Sequence, residues 1–447
     1  MKTVYTNYGA LVGTEHDGFS TFLGVPYAQP PVGDLRWKAP QPLQSWEGER
    51  EATVFAHRAW QTVQQEPKDG QGINYAKEFY ADPDYLPPMD EDCLYLNIWT
   101  PAASAEEKLP IALWIHGGAF LNGYGSEIEF DGEAFAKRGV ILVTINYRLG
   151  VFGFLSHPEL RAEDPDGHCG NYGILDQIAA LRWVYENISA FGGDPERITI
   201  FGQSAGAMSV QTLLSSTLTK GMIAGAILQS GGGYRGGFSS NRTTEQAEVL
   251  GNEYLKICGA DSIAEMRRLP PQKLMDKLPE LMGVSFGMGL GLPCSPVLDG
   301  YLLTEEYDTV IEKGHHPDIP YMLGSCRDDM MVTPGTDGHD SPVYLGCVNW
   351  SLQNQSLGRP AAYVYQFARR LPGDDAGAFH SAELWYVFHT LSRCWRPMSE
   401  ADEELSMRMC DYWCNFVKTG DPNGVGLPQW KPCASDLPYV HILDVVG

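Results

Sequence analysis

The stretch "ITIFGQSAGAMSV" at residues 198–210 places a serine between two glycines, directly behind a run of β-branched and apolar residues. Its first four residues have the composition of the end of a buried strand, and no helix breaker follows Gly206. Ser204 therefore lies at the apex of a predicted strand-to-helix turn, where Gly202 and Gly206 are small enough for a tight turn. Such a turn presents a hydroxyl at a helix N-terminus, which stabilises developing negative charge. The alternative is an ordinary Gly-Ser turn with no chemical role.

The rest of the chain alternates apolar strand candidates with helical patterns. The clearest helix is predicted at residues 172–188, where Ile174 and Ile178 fall on one face. Continuously apolar strands separated by helices favour an α/β fold with a large, mostly parallel sheet covered by helices on both faces. Residues 1–100 instead hold short alternating strands and proline-rich turns, which predicts a small N-terminal antiparallel subsheet within a single domain of residues 1–447. The strand candidates are residues 111–116, 140–146, 198–202, 225–230, 319–324 and 362–367.

Composition narrows the class of substrate and partner. The 447 residues carry a formal net charge of −24, which repels nucleic-acid phosphates and anionic lipid. No segment has the roughly 18 consecutive apolar residues of a membrane span. We therefore expect a small-molecule substrate, neutral or cationic, with neither a nucleic-acid nor a membrane partner. The oligomeric state is left open, and a monomer is compatible with the sequence.

The ten cysteines show neither a C-x-x-C pair nor a zinc-type cluster with histidine. Cys410 and Cys414 lie one helical turn apart, but the apolar stripe of Met409 and Trp413 beside them indicates a core helix. The N-terminal residues lack the apolar core of a signal peptide. Free thiols and the missing export signal predict a cytoplasmic protein. We expect no metal and no cofactor.

A serine hydroxyl is a weak nucleophile at neutral pH. It needs a base, an acid that orients the base, and N–H donors for the oxyanion. The segment "WIHGGAFLNG" at residues 114–123 follows a strand candidate and sets Gly117, Gly118 and Ala119 in a row. Small residues let their backbone N–H groups approach a ligand oxygen closely. With the N–H of Ala205, which follows the serine, they form a predicted oxyanion hole.

In enzymes with this serine turn, the chain order is serine, acid, histidine. His380 lies in a loop of small residues, "GAFHSAELWYVF", and is the predicted base, with His389 as its main rival. Asp328 and Asp329 directly follow the strand candidate 319–324, and chain order does not choose between them. The other histidines considered are interpreted as solvated, in the case of His315 and His316, or structural, in the case of His441.

Longer stretches resemble the type B carboxylesterases over nearly the whole chain. The segment "FGGDPERITIFGQSAG" at 191–206 is similar to the family's serine signature, and "EDCLYLNIWTP" at 91–101 is similar to its second signature. The segments "FLGVPYAQPPVGDLRWKAP", "GNYGILDQIAALRWVYENI", "GAFHSAEL" and "FVKTGDPN" also resemble family blocks. This resemblance implies the α/β-hydrolase fold. It also implies that Ser204 is the nucleophile, His380 the base, and Gly118, Ala119 and Ala205 the oxyanion hole, with Gly117 beside them.

Two positions depart from the family pattern. The resemblance assigns the acid to Asp329, where most members have glutamate, so this shorter side chain must come closer to the imidazole. Gln203 stands where many members have a glutamate before the serine. The change removes a carboxylate, and part of the field that favours a protonated imidazole.

The predicted function is that of a serine carboxylesterase acting on neutral carboxylic esters of small to moderate size through an acyl-enzyme. The alternative is a catalytically silent binding protein of the same fold, which ester turnover abolished by Ser204→Ala would exclude. The pocket walls are expected from residues 60–90, 235–292 and 330–350. The glycine-rich segment 283–291 is expected near the acyl side.

Overall fold

A computed structural model describes residues 1–67, 72–236, 241–436 and 438–445. Its main feature is a 12-stranded sheet in the order β1-β2-β3-β5-β7-β6-β8-β9-β12-β13-β14, with β4 paired to β2, while β10 and β11 form a separate pair. The strands are β1 (Lys2–Tyr5), β2 (Ala10–His16), β3 (Phe19–Pro26), β4 (Glu49–Glu51), β5 (Tyr95–Thr100), β6 (Leu109–Ile115), β7 (Ile141–Ile145), β8 (Gly193–Gln203), β9 (Gly225–Gln229), β10 (Arg242–Thr243), β11 (Val297–Leu298), β12 (Tyr321–Cys326), β13 (Tyr363–Phe367) and β14 (His441–Leu443).

Helices occupy most of the connections between these strands. They are α1 (Tyr75–Phe79), α2 (Glu133–Ala136), α3 (Gly150–Phe154), α4 (Pro158–Glu163), α5 (Tyr172–Asn187), α6 (Ala205–Ser215), α7 (Thr244–Cys258), α8 (Ile263–Arg267), α9 (Pro271–Gly287), α10 (Tyr307–Lys313), α11 (Pro342–Ser356), α12 (Leu384–Val387) and α13 (Glu400–Thr419). None of the helices in the described ranges is both long and apolar enough to cross a membrane.

The central strands are buried on both faces, which explains their continuously apolar sequences. In β6, Leu113 and Ile115 belong to one hydrophobic core, which also contains residues of α5 and α6. Ala112 and Trp114 belong to a second core on the opposite face, with residues of α2 and α13. Successive side chains of a strand point to opposite faces, so each face needs its own layer of helices. The predicted α/β architecture with a mostly parallel sheet is confirmed.

The predicted N-terminal antiparallel strands are confirmed: β1, β2, β3 and β5 pair antiparallel in that order, while the short β4 pairs parallel with β2. β5 pairs antiparallel with β7, and this pairing joins the N-terminal strands to the parallel part of the same sheet. β7 can join the two parts because it pairs antiparallel with β5 along one edge and parallel with β6 along the other.

Several local predictions are confirmed. The helix predicted at 172–188 is α5, and each of the six strand candidates coincides with a strand to within a few residues. Cys410 and Cys414 are buried in α13. The prediction for His316 is wrong, because this side chain is buried and its Nε2 lies 2.8 Å from Asn354 Oδ1.

Candidate active site

Ser204 lies between β8 and α6 in a backbone conformation that few residues adopt, with φ 57° and ψ −124°. A positive φ at a non-glycine residue costs about 1–3 kcal/mol, so the surroundings must hold it. A Cβ atom on Gly206 would lie 2.0 Å from the carbonyl oxygen of Ile115, and one on Gly202 would lie 2.5 Å from the carbonyl carbon of Gly206. The backbone N–H of Ser204 donates to Gln229 O at 2.8 Å. Glycine is therefore required on both sides of the serine by close backbone packing.

The glycine-rich loop after β6 lies directly against this turn. A Cβ on Gly117 would come within 3.1 Å of Ser204 Cβ. Gly118 and Ala119 both have positive φ, at 97° and 56°. Within the described residues, their backbone N–H groups have no hydrogen-bond acceptor. Together with the N–H of Ala205 at the start of α6, they are available for an oxygen bound beside Ser204.

His380 and Asp329 meet at the carboxyl edge of the sheet, following β13 and β12. His380 Nδ1 lies 2.6 Å from Asp329 Oδ1. Burial acts to raise the pKa of Asp329, but the charge of His380 and several hydrogen bonds outweigh it and keep that pKa low. Burial acts to lower the pKa of His380, but the charge of Asp329 raises it above its ordinary value. The short aspartate reaches the imidazole without the additional methylene of glutamate.

Asp328 and His389, the alternatives for acid and base, have other contacts. Asp328 Oδ2 accepts a hydrogen bond from Ala378 N at 2.7 Å, so Asp328 anchors the loop that carries His380. His389 Nδ1 lies 2.8 Å from Ser406 Oγ, and His389 lines a different surface depression. In this structure, only Asp329 and His380 of these four side chains form an acid–imidazole contact.

Gln203 contacts the other nitrogen of the imidazole. Its Nε2 lies 3.2 Å from His380 Nε2, and Nε2 is an acceptor when Nδ1–H points to Asp329. The hydroxyl of Ser204 has no hydrogen-bond partner among the described residues, although Ser204 and His380 line the same cavity. Catalytic hydrogen bonds are often formed only once substrate is bound. If the Ser204 hydroxyl donates to His380 Nε2, it therefore shares that acceptor with the side-chain amide of Gln203.

Replacing Gln203 by glutamate should move the pH dependence of kcat/KM. If His380 is the base that the sequence predicts, it works in its neutral form, so activity rises as pH passes its pKa. A carboxylate at position 203 stabilises the imidazolium. The rising part of the pH–rate profile should therefore shift upward by roughly one pH unit. Rates on a neutral ester between pH 5 and 9 measure the shift. Gln64→Glu, which adds a carboxylate elsewhere in the cavity, is the matched control. If kcat/KM rises at the same pH in the wild type and in Gln203→Glu, the proposed effect of position 203 on the imidazole is wrong.

The cavity in front of Ser204 has a volume of about 580 Å³. Its walls come partly from the predicted segments, through residues such as Tyr75, Met282 and Met330. None of residues 283–291 lines the cavity, which counts against the role predicted for this segment, although the preceding residue Met282 does line it. Residues 68–71 and 237–240 of the predicted walls lie outside the described residues.

One wall of the cavity was not predicted from the sequence. The segment following the glycine-rich loop contributes Leu121, Asn122, Glu127, Glu129 and Phe130. Its signal is the alternation "SEIEF" at residues 126–130, in which two acidic residues alternate with apolar ones shortly after the glycine-rich loop. Acidic residues are rarely buried without a partner. Acidic residues that alternate with apolar ones are therefore a signal for residues that line a cavity.

Comparison with known proteins gives consistent matches. The family model described as the carboxylesterase family matches residues 1–343 and 338–445. The chain is 34% identical to para-nitrobenzyl esterase of Bacillus subtilis (strain 168), over 99% of this chain and 95% of that protein. It is 39% identical to fumonisin B1 esterase of Sphingopyxis macrogoltabida, over 73% of this chain and 56% of that protein. A solved thermophilic PNB esterase is similar with a TM-score of 0.84 and 31% identity, covering 99% of this chain and 96% of the other.

Proposed function

The chain belongs to the carboxylesterase family, and on that premise we propose that Ser204, His380 and Asp329 form its catalytic triad. It is a carboxylic ester hydrolase with the α/β-hydrolase fold. The observation that carries the proposal is the 2.6 Å contact between His380 and Asp329 beside the cavity that Ser204 lines. We also propose that the N–H groups of Gly118, Ala119 and Ala205 form the oxyanion hole, with Gly117 beside them.

In this mechanism His380 Nε2 takes the proton of Ser204 as its Oγ attacks the ester carbonyl carbon. The carbonyl oxygen becomes an oxyanion and accepts hydrogen bonds from the backbone N–H groups. The C–O bond to the alcohol then breaks, and the alcohol leaves with the proton from His380. Water, deprotonated by the same imidazole, hydrolyses the acyl-enzyme and restores the serine. Asp329 keeps Nδ1 protonated and stabilises the imidazolium in both halves.

The substrates we propose are carboxylic esters of small to moderate size. A cavity of about 580 Å³ falls in the range of small-molecule sites, roughly 300–1,000 Å³. Met282 and Met330 give it apolar wall area suited to a short acyl or alcohol chain.

A series of p-nitrophenyl esters from acetate to decanoate tests this size limit. We expect kcat/KM to peak at butanoate or hexanoate and to fall by decanoate, where the apolar wall of Met282 and Met330 no longer covers the whole chain. Ser204→Ala measures the background hydrolysis of each ester. A rate that still rises at decanoate would contradict the proposed size. A wild type inert on every ester would favour the silent binding protein instead.

We propose a cytoplasmic location and a small-molecule ester as the substrate, with neither a nucleic-acid nor a membrane partner. The support is that all ten cysteines are unpaired, and that most of them are buried. Free thiols are typical of reducing compartments. Fractionation of the cells that produce the protein tests the location, and recovery from an oxidising compartment with disulfides would contradict it.

A further inference from the structure

Ser381 directly follows His380 and has a backbone conformation that serine rarely adopts. Its φ is 82°, in the left-handed region where a side chain costs conformational free energy and glycine does not. Ser381 also lines the cavity together with Ser204 and His380. The chain therefore keeps a polar side chain on the cavity wall at a position where glycine would suit the backbone better. Such a side chain is a candidate for a function in the site.

The backbone around Ser381 is held on both sides. Tyr75 Oη donates to the carbonyl oxygen of His380 at 3.1 Å. Leu384 N donates to the carbonyl oxygen of Ser381 at 3.2 Å. His380 and Ser381 are both buried. The position of the serine side chain relative to the imidazole is therefore fixed by the fold, as a site that orients a small molecule requires.

Five residues with a hydroxyl line the cavity, and three of these hydroxyls already have a partner. Thr62, Tyr75 and Tyr80 donate to two backbone carbonyls and a carboxylate, at 3.4, 3.1 and 2.9 Å, respectively. Within the described residues, Ser204 and Ser381 are the two whose hydroxyls have no partner. Ser381 Oγ is not enclosed by the protein. It is therefore available to a molecule in the cavity.

The water that hydrolyses the acyl-enzyme has two O–H groups and is best oriented by two acceptors. One O–H gives its proton to His380 Nε2, while the second keeps its hydrogen and needs a hydrogen-bond acceptor inside the cavity. Gln203 presents its amide nitrogen to the imidazole, and an amide NH₂ group only donates. A hydroxyl can accept, and the unpartnered hydroxyl next to His380 in the chain is that of Ser381.

We propose that Ser381 Oγ accepts a hydrogen bond from the attacking water and orients it for deacylation. As the water oxygen bonds to the acyl carbon, one of its protons moves to His380 Nε2. The bond from the acyl carbon to Ser204 Oγ then breaks, and Oγ takes that proton from the imidazolium. The hydrogen that Ser381 accepts leaves with the carboxylic acid, and Ser381 keeps its own proton throughout. This inference rests on the proposed function.

This contact distinguishes water from an alcohol. The alcohol that leaves during acylation occupies the place that water later takes, but it has a carbon atom where water has its second hydrogen. Ser381 is therefore expected to assist the attack of water and not the departure or attack of an alcohol. Loss of the hydroxyl should slow hydrolysis of the acyl-enzyme and leave its formation unchanged.

Partition of the acyl-enzyme between water and methanol tests the proposal. The wild type, Ser381→Ala and Ser381→Gly are given p-nitrophenyl butanoate in water that contains methanol, and butanoic acid and methyl butanoate are quantified. We expect the ratio of methyl ester to acid to rise about fivefold to tenfold in both variants, the effect of one lost neutral hydrogen bond. The value of kcat/KM, which reports acylation, should stay within about twofold of the wild type.

Two comparisons separate this role from a structural one. The rate of acyl-enzyme loss with and without methanol shows that hydrolysis has slowed while methanolysis has not. Glycine adopts a positive φ without strain, so Ser381→Gly should melt no lower than the wild type, and it carries the test if Ser381→Ala does not fold. Lys108→Gly is the matched control, because it relieves a φ of 53° at an exposed position outside the cavity and should keep the wild-type ratio.

Three outcomes overturn the inference. They are an unchanged ratio, a ratio that rises because methanolysis has become faster, and a loss in kcat/KM as large as the loss in hydrolysis. Each leaves the proposed function intact if the wild type hydrolyses the ester and Ser204→Ala abolishes that hydrolysis. A wild type that turns over no ester overturns the proposed function and this inference together.

Discussion

Replacing Ser204 by alanine should lower kcat on a simple ester such as p-nitrophenyl acetate by about a millionfold. The same loss is expected for His380→Ala. Without Ser204 there is no nucleophile for the acyl-enzyme, and without His380 no group in contact with Asp329 can take the serine proton. The residual rate should come from the oxyanion hole and substrate binding alone. Steady-state kinetics with highly purified protein, checked for contaminating esterase, measures both losses.

The double variant Ser204→Ala/His380→Ala supplies an internal control. The two groups act as one unit, so removing both should cost little more than removing either. His389→Ala is the matched histidine control, since its imidazole contacts Ser406 outside the cavity, and it should retain nearly full kcat. A His380→Ala variant that keeps most of its activity, combined with an inactive His389→Ala, would transfer the role of base to His389.

Asp329→Asn should lower kcat by about ten-thousandfold with little change in fold. Cys326 N and Met330 N donate to the carboxylate of Asp329 at 2.9 and 2.7 Å, which fixes its oxygens for His380 Nδ1. An asparagine can turn its NH₂ group toward Nδ1, and this favours the tautomer with the proton on Nε2. In that tautomer the imidazole cannot accept the proton of Ser204. Single-turnover rates and the melting temperature separate this effect from unfolding.

Asp328→Asn is the control for the neighbouring carboxylate. Asp328 contacts the backbone of the loop that carries His380, not the imidazole. Its side chain is 35% exposed. We expect a loss of less than about tenfold, because an amide oxygen can still accept the Ala378 hydrogen bond. A larger loss for Asp328→Asn than for Asp329→Asn would exchange the proposed roles of the two residues.

Local sequence was sufficient for the features that depend on neighbouring residues. The turn at Ser204 follows from Gly202 and Gly206, since a side chain at either position would collide with the backbone. α5 follows from its 3.6-residue periodicity, and the central strands follow from their continuously apolar runs. Chain order together with the strand ends also predicted which loops meet at the carboxyl edge of the sheet. Predicting them needed only the local pattern, although the packing that requires Gly206 involves the carbonyl oxygen of Ile115 in a distant strand.

Only the tertiary structure decided which side chains face the cavity. Asp328 and Asp329 are adjacent in sequence, yet their carboxylates contact a loop backbone and an imidazole, respectively. The direction of each side chain depends on the backbone angles of the turn after β12 and on the loop packed against it, which periodicity does not encode. The same reason explains why Glu127 and Glu129 were missed. Outside a helix or strand, no repeat fixes which way a residue points, so their position on the cavity wall depends on the packing of the completed fold.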